Sequence, residues 1–105
     1  MAQYDVYPNP SVSSRNQIPY VVDMQSNLLS DLTTRQVVPL ALRVSDAPAA
    51  PRRLSPQFTI EGRRVSLLPH LAAPLNARLL RQPLASLAGH AGELRDALDA
   101  VVSGV

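Results

Sequence analysis

The chain has 105 residues, 46% of them apolar, a formal net charge of +2 and no cysteine. That length bounds it to one small domain, and the missing thiols exclude disulfides and thiolate metal sites. The charge is too small to demand a nucleic-acid partner and does not exclude one. With three Tyr, one Phe and no Trp, the core must be built from Val, Leu, Ile and Ala, and a core poor in large rings invites help from a second subunit. The opening MAQYDVYPNP has no basic stretch followed by an apolar run, and no stretch approaches the ~20 apolar residues of a membrane helix. A cytoplasmic protein without a membrane partner is the expectation.

Tyr4-Asp5-Val6-Tyr7 alternates and stops at Pro8-Asn9-Pro10, which predicts a short first strand. The polar run Ser11 to Gln17 reads as a loop. Ile18, Tyr20, Val22 and Met24 fall on one face of a second strand, with Val21 and Asp23 on the other. Gln25-Ser26-Asn27 is turn-like and leads into the apolar pair Leu28-Leu29. Arg35 to Leu42 is the most strand-like run; Pro39 cannot donate to a ladder, so a free edge or a bulge is expected there. Arg43 to Pro56, with Pro48, Pro51 and the pair Arg52-Arg53, reads as a long mobile excursion. Gln57 to Ile60 and Arg63 to Leu68 flank Glu61-Gly62 as a tight hairpin, with Gly62 supplying a positive φ. Pro69, Pro74 and Pro83 punctuate the stretch up to Leu84, leaving room for short strands at most.

The last segment carries the one strong helical signal. At 100° per residue, Ala91, Leu94, Ala97, Leu98, Val101, Val102 and Val105 fall in one arc, and Glu93, Arg95, Asp96, Asp99 and Ser103 in the opposite one. Gly89 and Gly92 weaken its start, so the helix should begin near Ala88 to Ala91. Several short strands followed by one helix predict an α+β domain, a small barrel or curved sheet with a helix on one side.

Chemical motifs are sparse. His70 and His90 have no metal-ligand spacing to a partner and read as surface or capping residues. No nucleophile elbow and no glycine-rich phosphate loop is present. Asp96 and Asp99 share the polar face of the helix as solvated carboxylates. Arg52-Arg53 and Arg63-Arg64 lack interleaved aromatics, so they decorate a loop and a hairpin rather than a nucleic-acid groove. Nothing specifies an enzyme or calls for a cofactor. An apolar stripe reaching Val105 needs a cover, and a partner surface or dimer mate supplies one. The residues therefore point to a binding module with its terminal helix as a contact element.

Several stretches together resemble the CcdB toxins. Tyr4-Asp5-Val6-Tyr7 resembles their aromatic-x-Val-Tyr first strand, and Val22-Asp23-Met24-Gln25-Ser26-Asn27-Leu28-Leu29 their V-D-V-Q-S-D-I-I segment. Arg35-Gln36-Val37-Val38-Pro39-Leu40 resembles their R-x-V-I-P-L strand, Ser45-Asp46 repeats a Ser-Asp, and Leu94, Ala97, Gly104 and Val105 follow their terminal pattern. The resemblance spans essentially the whole chain. It implies a homodimer with a small SH3-like β-barrel of short antiparallel strands and a C-terminal helix. It also implies a type II toxin, not an enzyme, that binds the A subunit of DNA gyrase and traps its cleaved-DNA complex. A disordered CcdA-like antitoxin neutralises such a toxin, and operator DNA is reached only through the antitoxin.

By position, the resemblance makes Leu28, Leu29, Asp99, Ser103, Gly104 and Val105 the gyrase contacts. Antitoxin binding is expected at Arg43, Arg52 and Arg53 and around Pro8 to Ser14, on mobile loops. The chain departs from the family at Ser103, where Trp is characteristic, and at Asp99, where Asn is. An aromatic anchor often carries about 2 kcal/mol or more of an interface, so the Ser ending predicts gyrase binding weaker by more than roughly tenfold. Two alternatives go with this departure: the fold with a lost or changed target, and a MazF-like endoribonuclease on the same fold.

Overall fold

In the computed structural model, which describes residues 2–42 and 54–104, the alternating segments are strands β1 (Asp5–Pro8), β2 (Tyr20–Asp23), β3 (Thr34–Leu42), β4 (Gln57–Ile60), β5 (Arg63–Leu67), β6 (Ala73–Asn76) and β7 (Ala85–Ser86). Helix α1 (Ala91–Ser103) follows them. All pairings are antiparallel in the order β4-β5-β3-β2-β1-β7, with β6 also on β3. The sheet curls into a nearly closed barrel carrying the helix, an α+β SH3-like architecture.

The first strand starts one residue later than the alternation suggests. Tyr4 adopts φ 72°, and its side chain is buried in the core. The long β3 explains how Pro39 is tolerated inside a sheet. One edge of β3 pairs with β2 from Val37 to Leu40. The other edge is divided, with β6 on Thr34 to Val37 and β5 on Leu40 to Leu42. Pro39 stands at that division, and its carbonyl accepts the Leu68 N–H at 3.0 Å. The N–H and C=O of a strand residue point to the same edge, so the missing donor faces the gap between two partner strands and costs no rung.

The β4–β5 turn closes as Ile60 pairs with Arg63. Glu61 and Gly62 both take positive φ, 51° and 77°, the two-residue turn whose twist matches the flanking strands. Tyr20 Oη donates to Glu61 Oε1 at 3.1 Å, which fastens the turn to the barrel.

Burial divides the apolar residues between two faces. Val6, Tyr20, Val22, Val38, Leu40, Phe58, Ile60, Val65 and Leu67 fill the barrel. Leu94 and Ala97 of α1 complete this core, with Ala91 and Leu98 packed against it. Tyr7, Val21, Val37 and Leu80 form a smaller cluster on the other face. Ile18 departs from its expected face. It precedes Pro19 rather than continuing β2, and it lines a groove with Val21 and Val37.

The helical stripe is shorter than its periodicity. Ala100, outside the expected arc, is buried, whereas Val101 and Val102 are 40% and 80% exposed. Among the described residues the barrel ends before the helix does, so the last turn leaves Val102 uncovered. A 3-10 turn, Ala88–His90, precedes α1 and fits the expected start. His90 occupies the N-cap position but makes no backbone cap. Its Nδ1 lies 3.1 Å from Glu93 Oε1, and its ring meets Phe58 edge-on at 5.2 Å. No helix among the described residues is long and apolar enough to cross a membrane.

Candidate partner-binding surface

Leu28 is 94% exposed and Leu29 49%, an arrangement a core pair would not show. They sit on a 3-10 turn, Asn27–Leu29, whose N-cap Ser26 accepts the Leu28 N–H through Oγ at 3.2 Å. Asn27 Oδ1 accepts the Gln3 N–H at 2.9 Å, and Gln25 Nε2 donates to the Leu29 carbonyl at 2.9 Å. Apolar side chains are thus held out to solvent on a braced backbone. That arrangement can grip a partner without first losing loop entropy.

Beneath this turn lies a buried ion pair, the clearest feature that sequence reasoning missed. Asp23 and Arg35 are 0% and 1% exposed. Arg35 Nε and Nη2 both donate to Asp23 Oδ2, at 2.8 and 2.5 Å. Asp23 Oδ1 remains free to accept the Gln25 N–H at 3.0 Å. The available signal was Asp23 on the second face of β2 and Arg35 at the head of the next strand. Their pairing follows from the register, in which Asp23 opposes Val37.

At the helix end, Asp99, Ser103 and Gly104 are exposed. Ser103 Oγ donates back to the Asp99 carbonyl at 2.6 Å, so its hydroxyl is turned onto its own helix. Gly104 closes α1 at φ 72°, its N–H donating to the Ala100 carbonyl at 3.0 Å. Val102 is the more exposed of the two valines that this end presents among the described residues, Val101 being the other. Val105 lies outside the described residues. No hydrogen bond joins the helix end to the Asn27–Leu29 turn among the described residues; α1 has the Pro69–Leu71 and Ala88–His90 turns as its main neighbours.

Of the expected antitoxin contacts, Arg43, Arg52 and Arg53 lie outside the described residues. The Pro8 to Ser14 loop is within them, and it is knit rather than loose. Buried Asn9 donates through Nδ2 to Ser14 Oγ at 2.9 Å and to the Ile18 carbonyl at 2.8 Å. Its Oδ1 accepts the Ser11 N–H, and its carbonyl accepts Arg15 Nε. One Asn in a polar run was enough to organise it, because an Asn side chain satisfies both donors and acceptors. A groove of about 380 Å³ beside the loop is lined by Pro8, Pro10, Arg15, Leu79, Arg81 and Leu84.

Arg63 lies over the Tyr20 ring at 6.0 Å, and Arg64 Nη1 donates to Thr59 Oγ1 at 3.2 Å. Both serve the hairpin, as their spacing suggested. Glu93 and Arg64 line a pocket of about 140 Å³. The adjoining His90–Glu93 pair is 51% and 59% exposed, a solvated contact at a helix start with little electrostatic leverage.

The family model described as "CcdB protein" matches residues 3–104. No curated protein matches the chain.

Proposed function

Since the chain belongs to the CcdB family, we propose that it is the toxin of a type II toxin–antitoxin module, acting as a homodimer that docks on the A subunit of DNA gyrase and traps the cleaved-DNA complex. It acts in the cytoplasm, by occupancy rather than catalysis. The observation that carries this reading is the braced pair Leu28-Leu29, apolar and exposed on a turn that the family match includes. Asp99, Ser103, Gly104 and Val105 supply the second part of the docking surface. A CcdA-like antitoxin neutralises the toxin through Arg43, Arg52 and Arg53 and through the region around Pro8 to Ser14. An acidic disordered segment suits these cations, because it orders only when its charges are met.

Ser103 sets the strength of the interaction. Its hydroxyl is used within the helix, which leaves the leucine turn to carry most of the contact. A Trp at this place would add an aromatic anchor worth about 2 kcal/mol or more.

The test is a DNA-cleavage trapping assay with purified protein and gyrase from its own host, beside the variant Ser103→Trp. Linear DNA is expected with both proteins, the variant acting at concentrations lower by roughly thirtyfold. Trapping by the variant alone would mean that the docking surface is intact and the native target lies elsewhere. Trapping by neither would sink the gyrase reading.

A further inference from the structure

A leucine that is almost fully exposed normally samples many backbone arrangements, yet Leu28 stands on a turn fixed from beneath. The chain of bonds that fixes it starts in the barrel. Arg35 holds Asp23 Oδ2 with two N–H groups, which orients the carboxylate and leaves Oδ1 directed at the chain leaving β2. Oδ1 accepts the Gln25 N–H two residues on, a local bond that turns the chain. The Gln25 side chain, itself buried, then divides its amide. Oε1 accepts the Gln36 N–H at 3.0 Å, and Nε2 donates to the Leu29 carbonyl at 2.9 Å. Gln36 is the neighbour of Arg35, so the bonds close a ring from β3 through β2 to the turn and back.

We propose that Gln25 is a positioning residue for target recognition: it transmits the orientation set by the buried Asp23–Arg35 pair to the Leu28-Leu29 turn. This rests on the reading that these leucines contact gyrase. Gln suits the role because one planar amide offers an acceptor and a donor at fixed separation. A carboxylate of the same shape keeps the acceptor for Gln36 and sets a negative oxygen against the Leu29 carbonyl. The bonds of Asp23 are buried and the two Gln25 amide bonds partly so, so an intact ring confines the turn more than a fully exposed bond would.

The experiment uses Gln25→Glu, Leu28→Ala and the double variant in the full-length protein. Amide hydrogen exchange is followed at Leu28, Leu29 and Ser30, whose N–H groups bond within the turn to Ser26 Oγ, the Ser26 carbonyl and the Asn27 carbonyl. Gln25→Glu is expected to speed exchange there by roughly tenfold while β2, β3 and β5 keep theirs. Affinity for the A subunit of DNA gyrase should fall by roughly fivefold, the equivalent of one hydrogen bond. The loss should vanish in the Leu28→Ala background, because a residue acting through Leu28 has nothing left to act on.

Unchanged exchange at the turn, or losses of affinity that simply add, would overturn the proposal. Faster exchange throughout the barrel would also overturn it, since Gln25 would then be structural. Gln25→Met, which removes both amide bonds without adding a charge, provides a second variant should Gln25→Glu fail to fold; coupling of its effect to Leu28→Ala is again the expected result, and additivity the overturning one. Absence of gyrase binding by the unaltered protein would refute the proposed function and with it the recognition role of Gln25, whereas the exchange measurement, which needs no partner, decides separately whether Gln25 positions the turn.

Discussion

Tyr7 and Arg35 each bury a polar atom, Oη and Nη1, that has no hydrogen-bond partner among the described residues. An unmet buried hydroxyl costs free energy that a ring without it does not. Tyr7→Phe is therefore expected to leave stability unchanged or raise it by about 1 kcal/mol in urea unfolding near neutral pH. The same variant has an alkaline signature. Burial, followed by the negative charges of Asp5 and Asp23, raises the Tyr7 pKa above its ordinary 10.0. Below that value both folded and unfolded chains keep the phenolic proton, and the contribution is fully present. As pH rises further the unfolded chain ionises first, so stability falls through the raised folded value. Tyr7→Phe should shrink this fall, and the remainder belongs to Tyr20, raised by burial and by its bond to Glu61. An identical alkaline slope in both proteins would remove the argument. Single residues of this kind were poorly legible in the sequence. Alternation put Asp23 off the main core face, but ten Arg residues could have answered it. Only the register of β2 on β3 selects Arg35, because a shift by one residue exchanges the faces.

At the scale of elements, local chemistry was legible and edge-dependent structure was not. The β4–β5 hairpin and α1 carry their signals within a few residues: a Gly in a two-residue turn, and a 3.6-residue period. The hairpin offers a clean test. Nothing lies within 4 Å of a Cβ added at Gly62, whose φ is +77°, so a substitution meets no clash and its effect is conformational. Gly62→Ala is expected to cost about 1 kcal/mol in chemical denaturation without changing the Ile60–Arg63 register seen by amide exchange. A neutral result would show that the turn relaxes to another type. By contrast, β6 and β7 were visible only as room for short strands between prolines. Pro74 faces Gln36 on the divided edge of β3, and no local pattern announces which edge a four-residue strand will find. The helix end failed for a related reason. Periodicity tells which residues share a face, and the extent of the barrel decides how many of them it covers.

For the whole molecule, that uncovered last turn bears on assembly. Val102 is 80% exposed, and in a two-fold dimer each substitution acts twice. If Val102 packs against its mate in the proposed homodimer, Val102→Ser removes about 1.5 kcal/mol per copy and weakens association by roughly a hundredfold. Sedimentation velocity over a concentration series reads this shift, and a monomeric native protein at all concentrations would sink the homodimer. The fold class of the molecule was legible from the run of short strands and one helix, whereas the exposed leucine turn was not, because only packing decides exposure. The division of β3 also governs how the molecule comes into being. Thr34 finds Asn76, Tyr20 finds Leu40, and Leu42 finds Val65, so every large piece of the sheet waits for the same nine-residue strand. The β1–β2 and β4–β5 pairs can form without β3, but joining them waits for it, and chain-closure entropy is met before the distant contacts reward it. The strand that tolerates a proline is thus expected to be the common step through which the described sheet folds, with one cooperative unfolding transition in urea as the outcome that checks it.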